Sequence, residues 1–162
     1  MKTLGIYYSK TGVTRDVMNQ IQNAITMDVY DIKSQPTSTL NDYQRIIVGT
    51  PVYIGMFPSK IKKYLKQNAD KLINKELYLY TVGGEEPTDY QALFELSKVD
   101  LTLYHHIKKI VYCGGEFRFE KLSFFPRVLL KMVSKHKQKH SASETLPSLN
   151  QEAIESLIKV LS

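Results

Sequence analysis

Thr3-Leu4-Gly5-Ile6-Tyr7-Tyr8-Ser9-Lys10-Thr11-Gly12-Val13-Thr14 is the stretch on which the reading of this chain turns. Its first half, Thr3 to Tyr8, is a short apolar and aromatic run that predicts a buried strand. Just beyond the stretch, Val17, Met18 and Ile21 stand at helical spacing. Between strand and helix lie three hydroxyl side chains, Ser9, Thr11 and Thr14, around Gly12, with Lys10 and Val13 completing the turn. A strand that passes at once into a helix aims backbone N–H groups and the positive end of the helix dipole at one point, which suits a phosphate. Two kinds of phosphate loop are excluded. The chain has no G-x-x-x-x-G-K-[ST], so a nucleoside triphosphate would lack its lysine and its magnesium hydroxyl. It has no G-x-G-x-x-G, so a dinucleotide pyrophosphate would lack its close backbone approach. A single terminal phosphate monoester remains.

The rest of the chain is ordinary for a soluble globular protein. It has 162 residues, 43% of them apolar and 23% charged, and reads as one domain spanning 1–162. No apolar run approaches the roughly 18–20 residues that cross a bilayer. The first residues enter a strand without the pattern of a secretory leader. Cys113 is the lone cysteine, which excludes an intramolecular disulfide and a cysteine-rich metal site. It is expected to be a buried strand thiol, and the compartment is expected to be the cytoplasm. His105 and His106 are expected in a loop ahead of the fifth strand, with no metal role.

Strand and helix patterns alternate along the chain. Short strands are expected at 27–32, 45–50, 76–82 and 109–113, with a polar turn region from Pro36 to Leu40. Helices are expected from Pro58 to about Asn68, from Asp89 to Lys98, and from Asn150 to Leu161. Near-continuous apolar strands separated by helices imply a parallel sheet covered on both faces. With the phosphate loop after the first strand, the expected order is 2-1-3-4-5, and ligands in such sheets bind beyond the carboxyl ends of the strands. The loops after strands 1, 3 and 4 should therefore converge.

Those three loops resemble the flavin-binding loops of the flavodoxin family. The resemblance implies a flavodoxin-like α/β three-layer sandwich that holds FMN, with its phosphate on Ser9 to Thr14. Thr50-Pro51-Val52-Tyr53-Ile54-Gly55 looks like the loop on one side of the isoalloxazine ring, with Tyr53 stacking on the flavin. Val82-Gly83-Gly84-Glu85 looks like the loop on the other side, its backbone N–H groups reaching the pyrimidine edge. The flavin carries the chemistry, so no catalytic side chain is assigned.

The net charge of +6 is concentrated in one place. Residues 118–140 hold seven Lys or Arg and one acid, Glu120, so the remainder of the chain is neutral. This segment lies in a connection from about 116 to 147, far longer than the roughly 2–6 residues usual between strand and helix. Phe124 to Lys135 has the spacing of a basic amphipathic helix, which packs on the protein or meets an anionic membrane surface at 124–140. Together with Gly114-Gly115-Glu116-Phe117-Arg118-Phe119, this insert is similar to one branch of the superfamily, the flavodoxin-like quinone-dependent protoporphyrinogen oxidases. That resemblance implies an FMN-dependent oxidoreductase passing electrons to quinone or a redox partner protein, peripheral at the inner face of the membrane. Arg118, Lys121, Arg127 and Lys131 would then draw a carboxylate-bearing substrate or the membrane. The alternative is a soluble flavodoxin acting as an electron carrier. Nucleic acid is not an expected partner, because the basic cluster has no aromatic readout surface.

Overall fold

The computed structural model describes residues 1–34, 39–116, 118 and 148–162. Five parallel strands form one sheet in the order β2-β1-β3-β4-β5, as the sequence predicts. They are β1 (Thr3–Tyr7), β2 (Asp28–Asp31), β3 (Arg45–Pro51), β4 (Glu76–Val82) and β5 (Lys109–Tyr112). The register sets Ile6 beside Val48, Val48 beside Leu79 and Leu79 beside Ile110.

Each strand sends alternate side chains to opposite faces, so the sheet has two cores. Leu4, Ile6, Ile46, Val48, Leu77 and Leu79 pack under helices α2 (Ser59–Leu72), α3 (Tyr90–Leu96) and α4 (Leu101–His106). Tyr7, Ile47, Tyr78, Tyr80 and Val111 pack under α1 (Val13–Ala24) and a last helix, α5 (Gln151–Leu161). Helix α1 presents Val17, Met18 and Ile21 to that core, all fully buried. Cys113 lies one residue beyond β5, fully buried, as expected of a structural thiol.

Three boundaries differ from the sequence reading. Helix α2 begins after Pro58 and runs to Leu72, a turn beyond Asn68, because Leu72 is buried and continues its apolar face. The helix expected over Asp89 to Lys98 is shorter: Asp89 accepts the Ala92 N–H as its cap, and Lys98 leaves it in a left-handed conformation, φ 55°. An unexpected helix, α4, follows, capped by Asp100, whose carboxylate accepts the Thr102 N–H at 2.8 Å. His105 and His106 are therefore in the last turn of α4 rather than in a loop. His106 Nε2 contacts the Lys75 carbonyl at 2.7 Å, at the strand ends opposite the expected site. A short 3₁₀ turn, Leu40–Asp42, is all the helix described between β2 and β3. The expected amphipathic helix over Phe124 to Lys135 falls outside the described residues. Among the described residues, no helix is long and apolar enough to cross a membrane.

Candidate functional site

The loop after β1 is built by long-range contacts. Tyr8 N–H donates to the Gly49 carbonyl at 3.1 Å, which holds the start of the loop against β3. Ser9 is buried, and its hydroxyl accepts the Gly12 N–H at 2.9 Å. Gly12 is the first half-turn of α1 at φ 96°, a conformation that disfavours any residue with a Cβ. Helix α1 has no side-chain cap, and its first internal bond runs from Asp16 N–H to the Gly12 carbonyl. The N–H groups of Val13, Thr14 and Arg15 are thus left without intrahelical partners. None of the three hydroxyls caps the helix: Thr11 is half-buried at the turn, whereas Val13 and Thr14 are buried beneath it.

Beneath the loop, Tyr80 supplies a fixed support. Its phenol, fully buried, donates to the Thr14 carbonyl at 2.7 Å. Gly49 makes room for that ring: a Cβ there would meet it at 2.2 Å. Burial pushes the Tyr80 pKa well above its ordinary value, so the phenol stays protonated and remains a donor.

A cleft of about 110 Å³ opens over this loop. Ser9, Lys10, Thr11 and Gly12 line it with Tyr7, two cations the sequence reading did not assign, Arg15 and Lys33, and one carboxylate, Asp31, 3.8 Å from Lys33. Lys33 Nζ donates to the Ser9 carbonyl at 2.6 Å and lies 5.9 Å from the centre of the Tyr8 ring. The hydroxyl cradle is therefore also a positively charged one. The signal for Lys33 was topological, since β2 neighbours β1 and the residues after β2 must end beside the loop.

The other two loops stand alongside. Val52 N–H donates to the Val82 carbonyl at 2.9 Å, and Gly83 N–H donates to the Gly114 carbonyl at 3.0 Å. The loops after β3, β4 and β5 are thus stitched in sequence, and the three predicted loops share one edge of the sheet. Their residues are not equivalent, however. Thr50 and Pro51 are buried in β3, and the Thr50 hydroxyl donates to the Pro51 carbonyl at 2.8 Å. Val82 is buried, and the Gly83 N–H is already engaged, which leaves Gly84 and Glu85 as the exposed rim.

Tyr53, Ile54, Gly55 and Met56 form a tight turn in which Tyr53 and Met56 exchange backbone hydrogen bonds at 3.0 and 3.1 Å. Both central residues are left-handed, Ile54 at φ 50° and Gly55 at φ 68°, as a type I′ turn requires. A β-branched residue in that conformation is strained. Ile54 is also 85% exposed, and Tyr53 and Met56 are exposed beside it. Although the residue as a whole is exposed, partial desolvation of its phenol, and then the nearby Tyr8, push the Tyr53 pKa up to about 12. Tyr53 and Tyr8 are thus close enough to interact across the first and third loops.

Arg118, expected to meet substrate or membrane, lies against the phosphate loop. Its side chain is 19% exposed and pairs with Asp16 at 2.8 Å and with Glu116 at 2.8 Å. Lys121, Arg127 and Lys131 lie outside the described residues.

A flavodoxin-domain family model matches residues 4–144. The chain is 22% identical over 151 residues to a protoporphyrinogen IX dehydrogenase (quinone) of Leishmania major, covering 83% of this chain and 62% of that protein. It is 19% identical over 144 residues to the protein of the same name from Escherichia coli K12, covering 83% and 80%. The chain thus spans about three-fifths of the length of the Leishmania relative. An archaeal flavodoxin structure superposes with a TM-score of 0.53 at 15% identity, over 68% of this chain and 78% of that one, a likeness of fold.

Proposed function

The chain belongs to the flavodoxin family, and from that premise we propose that it is an FMN-dependent oxidoreductase that passes electrons to a quinone. The observation that carries the reading is the start of α1. An uncapped helix with unpaired N–H donors, a buried serine, two threonines and flanking cations fits a dianionic phosphate ester. Ser9, Lys10, Thr11, Gly12, Val13 and Thr14 hold the phosphate. Tyr53, Ile54 and Gly55 lie along one side of the ring and Gly84 and Glu85 along the other, with Val52, Val82 and Gly83 fixing the two loops to each other. Thr50 and Pro51 act from within β3, as support for the turn.

Bound there, FMN supplies the electron and hydride chemistry, and the protein supplies position and electrostatics. The loop donors and Lys10, Arg15 and Lys33 fix and charge-balance the ester end. The apolar turn Tyr53–Met56 excludes water from the ring it flanks. Tyr53 remains a neutral phenol throughout the physiological range, so it adds no charge beside the cofactor.

The quinone acceptor, and a protoporphyrinogen-like donor, are supported by the similarity to the two dehydrogenases and by the basic segment 118–140. Lys121, Arg127 and Lys131 are the cations we assign to the carboxylates of such a substrate or to the membrane surface holding the quinone. The second reading, a soluble electron carrier, is disfavoured by charge. Carriers that dock on basic partners are acidic, whereas this chain is neutral outside the basic segment.

Anaerobic reduction of the FMN-loaded protein tests the reading. Reoxidation by a quinone and reduction by protoporphyrinogen are the expected outcomes. A protein that binds FMN but exchanges electrons with neither, while reducing an electron-accepting protein, is a carrier.

A further inference from the structure

The phosphate loop carries an electrostatic contradiction that Arg118 resolves. Asp16 stands in the first turn of α1, where a carboxylate favours the helix through its dipole. A phosphate dianion at the same helix start would be repelled by that carboxylate. Among the described residues, two cations reach Asp16. Arg15 does so at 3.6 Å from a half-exposed side chain, which makes a weak pair. Arg118, 102 residues further along the chain, does so at 2.8 Å from a side chain that is 19% exposed.

The guanidinium is fully committed in the geometry it adopts. One terminal nitrogen donates to both Asp16 and Glu116, Nε donates to Glu116 at 3.1 Å, and the other terminal nitrogen donates to the Thr11 carbonyl at 3.4 Å. It lies directly over the helix start, because a Cβ on Gly12 would come within 3.0 Å of it. Glu116 aims the fork from the chain leaving β5, and the fork ties that chain to the loop after β1. A lysine could supply the charge but not the simultaneous contacts.

Resting on the FMN reading, we propose that Arg118 is a positioning residue for the phosphate end of the flavin. It cancels the Asp16 carboxylate and fixes the Thr11 carbonyl, so that the loop accepts a dianion that Asp16 would otherwise repel. Its partner is the phosphate loop rather than a substrate or a membrane.

Titration of the full chain with FMN and with riboflavin, which lacks the phosphate, tests this by flavin fluorescence. Arg118→Gln is expected to weaken FMN roughly tenfold and to leave riboflavin within about twofold. Arg118→Lys should recover part of the loss. Asp16→Asn combined with Arg118→Gln should restore part of the lost FMN affinity, because the Asp16 charge is gone while the Thr11 carbonyl stays unheld. Equal weakening of both flavins would mean that Arg118 merely holds the fold, and would overturn the proposal. So would an unchanged FMN affinity in Arg118→Gln, or a double variant no better than Arg118→Gln alone. Failure of the unaltered chain to bind FMN would defeat the FMN reading itself, and this inference with it. That result is distinct from FMN binding that is indifferent to Arg118.

Discussion

The loop after β1 and the turn after β3 stand at the same edge of the sheet but are built on opposite principles. The first is tied down: the Ser9 hydroxyl accepts the Gly12 N–H, Tyr80 holds the Thr14 carbonyl, and Arg118 and Lys33 hold the Thr11 and Ser9 carbonyls. The second is exposed and strained, closing on itself through two backbone bonds with a left-handed isoleucine at its tip. The difference follows from what each must bind. A small dianion is recognised by fixed donors, whose value depends on their being oriented in advance. A flat apolar ring is recognised by surface, and a short projecting turn brings apolar surface to it.

The largest expected effect tests the anchored half. Thr11→Ala together with Thr14→Ala removes two charge-assisted hydrogen bonds worth roughly 1.5–3 kcal/mol each. FMN affinity should fall by about a thousandfold, and melting temperature without flavin should change little. An unaltered flavin titration would mean that the hydroxyls do not serve the phosphate.

That half was legible in the sequence because its signals are local. The apolar run, the hydroxyls and Gly12 lie within a dozen residues, and the strand order follows from where that loop falls among the apolar runs. What was not legible is what holds the loop in place. Tyr80, Lys33 and Arg118 reach it from 66, 24 and 107 residues away, and no spacing rule links such positions. Helix α4 escaped notice for a different reason: its six residues are too few to display a helical repeat, and Asp100 was its one start signal. Thr50 looks into the protein, an orientation that a short side chain on a strand does not reveal in the sequence.

A smaller effect tests the turn. Ile54→Gly relieves left-handed strain of about 1–2 kcal/mol against roughly 0.5–1 kcal/mol of extra freedom in the unfolded chain. A slight rise in melting temperature is expected. At 85% exposure Ile54 has little packing to lose, so a clear fall would show that the turn is held by contacts rather than strained.

A separate effect, absent at neutral pH, is set by alkaline titration. Burial pushes the Cys113 thiol up to about 12, and burial followed by Tyr8 does the same for Tyr53. Both folded values exceed the ordinary ones, 9.0 and 10.0, so the folded state holds these protons more tightly than the unfolded chain. Their contribution is complete below about pH 9 and is lost as pH rises towards 12. Thermal unfolding followed from pH 7 to 11 should show a plateau and then a decline. Cys113 should resist alkylation at pH 8 until the protein unfolds, and prompt labelling of the native protein would contradict its burial.

Three oily side chains at one rim, Tyr53, Ile54 and Met56, also have a practical consequence at the bench. Stripped of flavin, the protein should cling to a phenyl column and clump on concentration, and adding FMN should release it.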